Sequence, residues 1–302
     1  MKPGHILVTG AGGFVGGALA EGFARLGWEA TGLDREFGAD DAGRGFRTIM
    51  GDLSKGVPPD LPPVDVVVHA AWVTTDPETL GVSPTEHLRL NLAPLLAILD
   101  YVERTRPTVF VFLSSSGVFA AGDGDDGLSD AHAATGLSYY AAQKRASELL
   151  VQAASSGGTA AHVMRLGYLF GPGEVERASR RGVSLVAGWL AAAQEGRPLA
   201  VREDDPVRDW TFTTDLAPAL ERVVAGPPAG RPLHLGSPRT CSDRAWATLI
   251  ADQFPGVALE TVPAGPSVKP PMIPSVIAAL RGFEWTDPGS GLRALISGMV
   301  AT

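Results

Sequence analysis

The feature that most constrains this chain is the stretch from His5 to Leu19, His-Ile-Leu-Val-Thr-Gly-Ala-Gly-Gly-Phe-Val-Gly-Gly-Ala-Leu. Ile6 to Val8 are apolar, and two of the three are β-branched, which suits a short buried strand. Glycine follows at 10, 12, 13, 16 and 17, and helical spacing resumes from Ala18 to Leu26. Strand, glycine turn and helix in that order form a dinucleotide-binding fingerprint. In such a unit Gly10 allows the tight turn, and the bare Cα of Gly13 lets backbone N–H groups approach a pyrophosphate. Gly16 lets the helix pack closely on the strand, and the helix N-terminus favours the bound negative charge. With 37 glycines in the chain, the pattern alone says little. Its context carries the reading.

The first element of context is an acid at the right distance. Trp28 to Asp34 reads as a second strand ending in Asp34. A carboxylate there accepts hydrogen bonds from the adenine ribose hydroxyls and repels a 2′-phosphate, so NAD is favoured over NADP. Arg35, directly after it, is the feature that would tolerate the phosphate.

Composition narrows the class. The 302 residues suffice for one large domain, or for a nucleotide domain with a smaller lobe. Hydrophobic residues make up 45% and charged residues 19%, the balance of a globular chain. The net charge of −8 and the absence of a basic run argue against nucleic acid or an anionic membrane as partner. The single cysteine, Cys241, excludes an internal disulfide or a cysteine-based metal cluster, and no metal site is expected. The first strand begins within about five residues of Met1, and no apolar run reaches the roughly eighteen residues of a membrane span. A cytoplasmic location is the expectation.

Along the chain, Phe46 to Met50 reads as a third strand, after a Gly- and Asp-rich loop from Arg35 to Gly45. A Pro-rich link from Val57 to Pro63 leads into Val64 to Ala71, a β-branched run suited to a strand buried on both faces. Thr85 to Arg106 has helical spacing, with Leu88, Leu92, Leu95, Leu96 and Leu99 on one side. Thr108 to Leu113 is a fifth strand, ending at Ser114-Ser115-Ser116. This alternation predicts an α/β fold with a doubly wound parallel sheet. Ligands on such sheets sit beyond the carboxyl ends of the strands, where Asp52, His69-Ala70-Ala71 and Ser114-Ser115-Ser116 all fall.

The chemistry rests on Ser138-Tyr139-Tyr140-Ala141-Ala142-Gln143-Lys144, opening a helix that continues through Leu150. Tyr140 and Lys144 are four apart and share a helical face. A neighbouring ammonium favours the phenolate and brings tyrosine toward the working range of a general base. The same lysine can hydrogen-bond a nicotinamide ribose, and a strand-end serine can hold the substrate oxygen.

With these motifs, the chain resembles the extended short-chain dehydrogenase/reductases of the NAD-dependent epimerase/dehydratase family, which includes nucleotide-sugar 4-epimerases. The resemblance covers nearly the whole chain. It includes Thr9 to Gly16, Gly51-Asp52-Leu53, His69-Ala70-Ala71, Asn91, Ser114-Ser115-Ser116 and Tyr140 to Lys144. It continues through Arg165, Phe170 to Gly173, Arg208 to Phe212, Asp215-Leu216 and Trp285. It implies a Rossmann-type sheet with a smaller C-terminal substrate lobe: a NAD domain over 1–168, with a return around 209–237, and a lobe over 169–302. It implies that Asp52 binds the adenine amine and that Ala70 and Ala71 line the cofactor by backbone. Phe14, Val15, Leu53, Asn91 and Leu113 are expected beside the cofactor as well. Counting back from Val118-Phe119-Ala120, the catalytic serine is Ser115, working with Tyr140 and Lys144. Ser115, Ser116, Arg208 and Tyr168 are the expected substrate contacts, and a homodimer through the helices carrying Asn91 and Tyr140 is implied.

The chain also departs from the family pattern. Ser116-Gly117 stands where dehydratases carry an Asp-Glu pair, so dehydration is disfavoured. Tyr168 replaces an asparagine usual in nucleotide-sugar enzymes, and Glu203-Asp204-Asp205 replaces a Gly-rich turn. Arg208 is the one residue matching a grip on nucleotide phosphates; its alternative role is an ion pair with Asp205 or Asp209. The expected activity is hydride transfer between NAD and a secondary hydroxyl or ketone of a sugar-like substrate. A 4-epimerase that retains its NAD is the rival enzyme, and a non-catalytic NAD sensor is the rival from another class. Helices are expected over 183–194, 214–225 with Asp215 as cap, and 242–254, a strand at 233–236, and a loop through the Pro-rich 263–274.

Overall fold

The computed structural model describes residues 3–38, 43–59, 61–154 and 158–300. Part of the Gly- and Asp-rich loop expected over 35–45 and Asp60 of the Pro-rich link lie outside them. The elements in chain order are β1 (His5–Thr9), α1 (Phe14–Arg25), β2 (Glu29–Asp34), β3 (Arg47–Met50), β4 (Val66–His69), α2 (Pro77–Leu80) and α3 (Pro84–Thr105). Next come β5 (Val109–Ser115), α4 (Tyr139–Ala153), β6 (Ala160–Leu166), β7 (Tyr168–Phe170), α5 (Leu185–Gln194), β8 (Leu199–Arg202) and β9 (Val207–Phe212). The chain closes with α6 (Leu216–Val224), β10 (Leu233–His234), β11 (Thr240–Ser242), α7 (Asp243–Ala251), β12 (Leu259–Val262) and α8 (Pro288–Val300).

Seven strands form one parallel sheet in the order β10-β6-β5-β4-β1-β2-β3. The strand order reverses at β1 and β4, the place where doubly wound sheets bind ligands. Side chains alternate between two cores. Ile6, Val8, Val66, Val68 and Val109 face α1 and α6, while Leu7, Val67, Phe110 and Phe112 face α3 and α4. Both faces are covered, which is why these strands read as continuous apolar runs.

Within α3, Leu95 and Ile98 are buried, but Leu88 and Leu96 are 38% and 56% exposed, so the expected leucine face is only partly inward. Pro94 lacks the N–H that would have met the carbonyl of Leu90, and both residues line the cavity described below.

The smaller lobe has its own core. Phe170, Trp210, Phe212 and Trp246 meet edge-on or tilted at centroid distances of 4.8 to 5.6 Å, with α5, α7 and α8 around them. Two sheets serve it: β11-β9-β7, and the parallel pair β12 and β8. The return to the large sheet is therefore narrower than 209–237. Residues 209–212 belong to the lobe sheet, whereas α6, β10 and Leu235 rejoin the larger core. Phe283 and Trp285 also pack back onto that core.

Asp215 does not cap α6. Its backbone is already helical, and its carboxylate accepts from the N–H and hydroxyl of Thr286, both at 2.8 Å. It fastens the C-terminal segment instead.

Candidate active site

The carboxyl ends of β1, β2, β4 and β5 open into a cavity of about 940 Å³. Gly10, Gly13, Phe14, Val15, Gly16, Asp34, Arg35, Asp52, Leu53, Ala70, Ala71 and Leu113 all line it. So do Ser115, Tyr140, Lys144, Tyr168 and Arg208. Of the residues expected at the site, Gly12, Asn91 and Ser116 stand behind the wall.

Two glycines make the loop possible. Gly10 has a φ of +73°, and a Cβ there would stand 2.6 Å from the Ala71 nitrogen. A Cβ on Gly16 would overlap the Gly10 carbonyl oxygen. Gly13 heads α1 and no side chain caps that N-terminus, so its first N–H groups remain for a ligand. At the end of β2, Asp34 accepts from the N–H groups of Gly12 at 3.0 Å and Arg35 at 2.6 Å. Burial raises the Asp34 carboxyl above its ordinary range, against those hydrogen bonds and the Arg177 charge. Asp52 accepts from the N–H and hydroxyl of Ser54; despite partial burial, these bonds hold its carboxyl below the usual range. An uncapped helix N-terminus, a bare-glycine cradle and a carboxylate at the end of β2 together fit a dinucleotide.

Asn91 shapes this wall from behind. It accepts from the Val73 N–H at 2.7 Å, and its amide donates to the Val73 carbonyl and to Gln143. Gln143 in turn meets His87, whose other ring nitrogen reaches the Thr75 carbonyl at 2.8 Å. Residues 73–75 are thereby tied to α3 and α4. His69 is wholly buried, 2.8 Å from the Thr9 hydroxyl and stacked on Phe112. Burial, helped by the Lys144 charge, pulls its pKa to about 3, so it is neutral.

The catalytic candidates come from β5 and α4. Ser138 caps α4 through the Ala141 N–H, and the first turn points Tyr140 inward while Tyr139 is 52% exposed. The Ser115 hydroxyl accepts from the Gly117 N–H at 3.0 Å. Burial pushes the Tyr140 hydroxyl above its ordinary range, opposed by a hydrogen bond from Ser115 and by the Arg180 charge. Here the structure differs from the expectation. The cation lowering Tyr140 is Arg180, whereas Lys144 donates to the Leu113 carbonyl at 2.7 Å. Its ammonium lies 3.8 Å from the Trp72 ring centre and 4.8 Å from that of Phe112. The shared helix face is real, but the long lysine stem reaches the end of β5 and places one of its three N–H donors there. Burial brings Lys144 down to about 7, against the charge of Glu148. Glu148 is itself clamped by Arg165 at 2.8 and 2.7 Å and by the Ser114 hydroxyl at 2.6 Å.

At the β7 and β9 side of the cavity, Arg208 pairs with Asp243 at 2.7 and 2.8 Å and donates to the Tyr168 hydroxyl at 2.8 Å. The ion pair is thus with Asp243, not with Asp205 or Asp209. Asp205 instead receives the Arg244 N–H, and buried Asp209 receives those of Met272 and Tyr168. Residues 271–275, at the end of the Pro-rich stretch and one residue past it, bridge Leu128, Asp209 and His234. Among the acids at 203–205, Asp204 is held by Arg202 at 2.8 and 2.6 Å.

Sequence reasoning missed Trp72, Arg177 and Arg180, all on the cavity wall. The available signals were a tryptophan directly after His69-Ala70-Ala71, and four arginines between 177 and 197 after the Gly171-Pro172-Gly173 turn. Among the described residues no group of histidine, cysteine and acid could hold a metal, and no helix is long and apolar enough to cross a membrane.

The NAD dependent epimerase/dehydratase family model matches residues 6–236. The 2-alkyl-3-oxoalkanoate reductase of Shewanella oneidensis is 26% identical over 247 residues, which is 75% of this chain; the match spans 59% of the reductase's length. The fold matches TunA, an NAD-dependent NDP-hexosamine 5,6-dehydratase of tunicamycin biosynthesis. That match has a TM-score of 0.82, 21% identity, and coverage of 99% of this chain and 98% of that one. The Bordetella bronchiseptica enzyme WbmH, solved with NAD+, matches at a TM-score of 0.78 and 20% identity, with 98% of each chain covered. This chain belongs to the NAD dependent epimerase/dehydratase family, whose cofactor is NAD.

Proposed function

We propose that the protein transfers hydride between NAD and a secondary hydroxyl or ketone of a sugar or sugar-like molecule. The observation that carries this reading is the meeting of Ser115, Tyr140 and Lys144 on one wall of the glycine-loop cavity. NAD, when bound, supplies the hydride acceptor. In oxidation the Tyr140 phenolate takes the substrate hydroxyl proton at its Oη, in reduction neutral Tyr140 gives that proton to the carbonyl oxygen, and Ser115 donates a hydrogen bond to the same oxygen. Lys144 orients the nicotinamide ribose, and its depressed pKa lets it exchange a proton near neutrality. Over 1–168 the chain holds the cofactor, and the lobe over 169–302 holds the substrate.

Two further observations support redox chemistry on a modest substrate. Gly117 leaves no room for the acid a dehydratase needs beside Ser116, and the Arg208 charge is already matched by Asp243, which suits a substrate without a diphosphate. The exposed Leu96 of α3 and Leu149 of α4, 56% and 67% accessible, support a homodimer through these two helices. Sedimentation of the wild type as a dimer, and of Leu96→Glu/Leu149→Glu as a monomer, tests that assembly.

The test of function begins with purified protein and its bound dinucleotide, then follows reduced-nicotinamide absorbance with free sugars, polyols and nucleotide sugars. Reduced cofactor accumulating with a sugar or polyol, and lost in Tyr140→Phe, supports the dehydrogenase. Retained NAD with interconversion of a nucleotide sugar and no net reduction makes it a 4-epimerase. Unaltered biological activity in Tyr140→Phe makes it a non-catalytic sensor.

A further inference from the structure

Residues 174 to 184 cross the cavity as a strap, and hydrogen bonds fasten it to the loop after β4. The N–H groups of Thr74 and Thr75 donate to the Ser179 carbonyl at 2.8 and 3.2 Å. The Thr75 hydroxyl is the centre of the joint: it donates to the Ala178 carbonyl at 3.0 Å and accepts from the Arg181 N–H at 2.8 Å. Thr75 is 4% exposed, and its carbonyl meets His87 at 2.8 Å, which Gln143 holds in turn. The loop side of the joint is therefore anchored to α3 and α4.

The strap side is held differently. Glu174 closes its base, pairing with Arg180 and accepting from the Ser184 N–H and hydroxyl. Reciprocal backbone bonds between Arg177 and Arg180, at 3.0 and 2.9 Å, make its tip a tight turn. Its apolar residues, Val175, Ala178 and Val183, are all exposed. A segment kept in place by hydrogen bonds rather than by apolar burial opens at low free energy.

The strap also spans the crevice. The Arg180 guanidinium lies 5.3 Å from the centre of the Phe14 ring, and Phe14 begins α1 beside the glycine loop. Thr74 and Thr75 are tied to α3, which covers the other face of the sheet. Lengthwise, the Arg177 charge reaches Asp34 and the Arg180 charge reaches Tyr140, lowering the pKa of each. Ala178 and Ser179, between those arginines, stand on the cavity wall. The strap thus runs from the acid at the end of β2 to the tyrosine, over the site that fits a dinucleotide.

We propose that Thr75 is the latch of this strap: it holds residues 175 to 183 over the bound dinucleotide, and the strap must release before the cofactor enters or leaves. Thr75 is a positioning residue, acting on the cofactor through the strap. The proposal needs only the NAD site and holds for an oxidoreductase and an epimerase alike, so its failure leaves the choice between them untouched. A gate slows passage in both directions, whereas a plain contact with the cofactor slows only its departure.

The experiment follows NADH exchange on the whole protein by stopped flow, reading reduced-nicotinamide fluorescence on mixing and on chase with excess NAD. Wild type, Thr75→Val and Thr75→Ser are compared. Thr75→Val keeps the side-chain shape and removes both hydroxyl hydrogen bonds. The expected result is that association and dissociation both speed up by about 10- to 100-fold in Thr75→Val, with Kd moving less than either rate. Thr75→Ser, which keeps the hydroxyl, restores the wild-type rates. Hydrogen exchange of the wild type needs no variant: NADH is expected to slow the peptides covering 73–76 and 177–182 together. Faster dissociation with association unchanged, and Kd weakened by the same factor, makes Thr75 part of an ordinary binding wall and overturns the gate. Unchanged rates in Thr75→Val overturn it as well, as do strap peptides that exchange equally fast with and without NADH.

Discussion

Gly117 and Tyr140 are in direct contact: a Cβ on Gly117 would stand 2.7 Å from Tyr140 Cε1 and 3.2 Å from the Ser115 hydroxyl oxygen. The residue after Ser115-Ser116 therefore serves as the seat of the tyrosine ring. Gly117→Ala pushes the ring off its place by a fraction of a side chain, and misplacement of that order costs about 100-fold in kcat. Tyr140→Phe, which keeps the ring and removes the proton acceptor, costs about 10² to 10⁴. Steady-state rates test both, with NAD binding by fluorescence retained in each. Full activity in Gly117→Ala would show that the ring does not depend on this seat.

Trp72 lies beneath the Lys144 ammonium at 3.8 Å and edge-on to Tyr140 at 6.5 Å. A ring face stabilises the charged form of a lysine by about 0.5–1 kcal/mol or more. Burial has already brought Lys144 to about 7, so removing the ring moves it lower still. Trp72→Leu is expected to shift the Lys144 limb of the kcat/KM–pH profile to the acid side by up to about one unit. An unmoved profile would mean that the ring only fills space.

Gly16 and Gly188 separate necessity from permission. A Cβ on Gly16 overlaps the Gly10 carbonyl, while one on Gly188 within α5 meets nothing within 4 Å. Gly16→Ala is expected to destabilise by about 1–3 kcal/mol and to abolish NAD binding. Gly188→Ala is expected to stabilise by about 0.5–1 kcal/mol through helix propensity. Urea unfolding reads both signs.

Asp209 is held at about 6 by burial, against the N–H groups of Met272 and Tyr168. Its folded value lies above the unfolded one, so the native state binds the extra proton between about pH 4 and 6. That stabilisation is full below the unfolded value and is lost as pH rises through 6. Its size is on the order of 2–3 kcal/mol. Asp209→Asn is expected to flatten this part of the stability–pH curve, as read by urea midpoints from pH 4 to 8. A slope as steep as in wild type would assign the titration to another group.

The Arg208–Asp243 pair shows what leaving one charge alone costs. Both side chains are buried, at 7% and 2% exposure, and the pair is bidentate. Asp243→Asn leaves the guanidinium with only the Tyr168 hydroxyl and a weaker acceptor. A loss of about 3–5 kcal/mol is expected, against a much smaller loss in Tyr168→Phe. Thermal melts of the two variants make the comparison.

The parallel sheet, the glycine loop and the Tyr140–Lys144 spacing were all readable along the chain, because each rests on neighbours within one strand, turn or helix. Alternating cores demand apolar runs, a crowded turn demands Gly10 and Gly16, and a helix places residues four apart on one face. The structure alone settles what depends on distant partners. Asp243 rather than Asp205 or Asp209 takes Arg208, because β11 and α7 return beside β9. Lys144 turns to the Leu113 carbonyl because the end of β5 lies under α4. Arg180 comes over Phe14, more than 160 residues away in sequence, because the strap is tied to Thr74 and Thr75. Local geometry is written in residue spacing, but electrostatics depends on distance in space, and that exists only once the chain has folded back on itself.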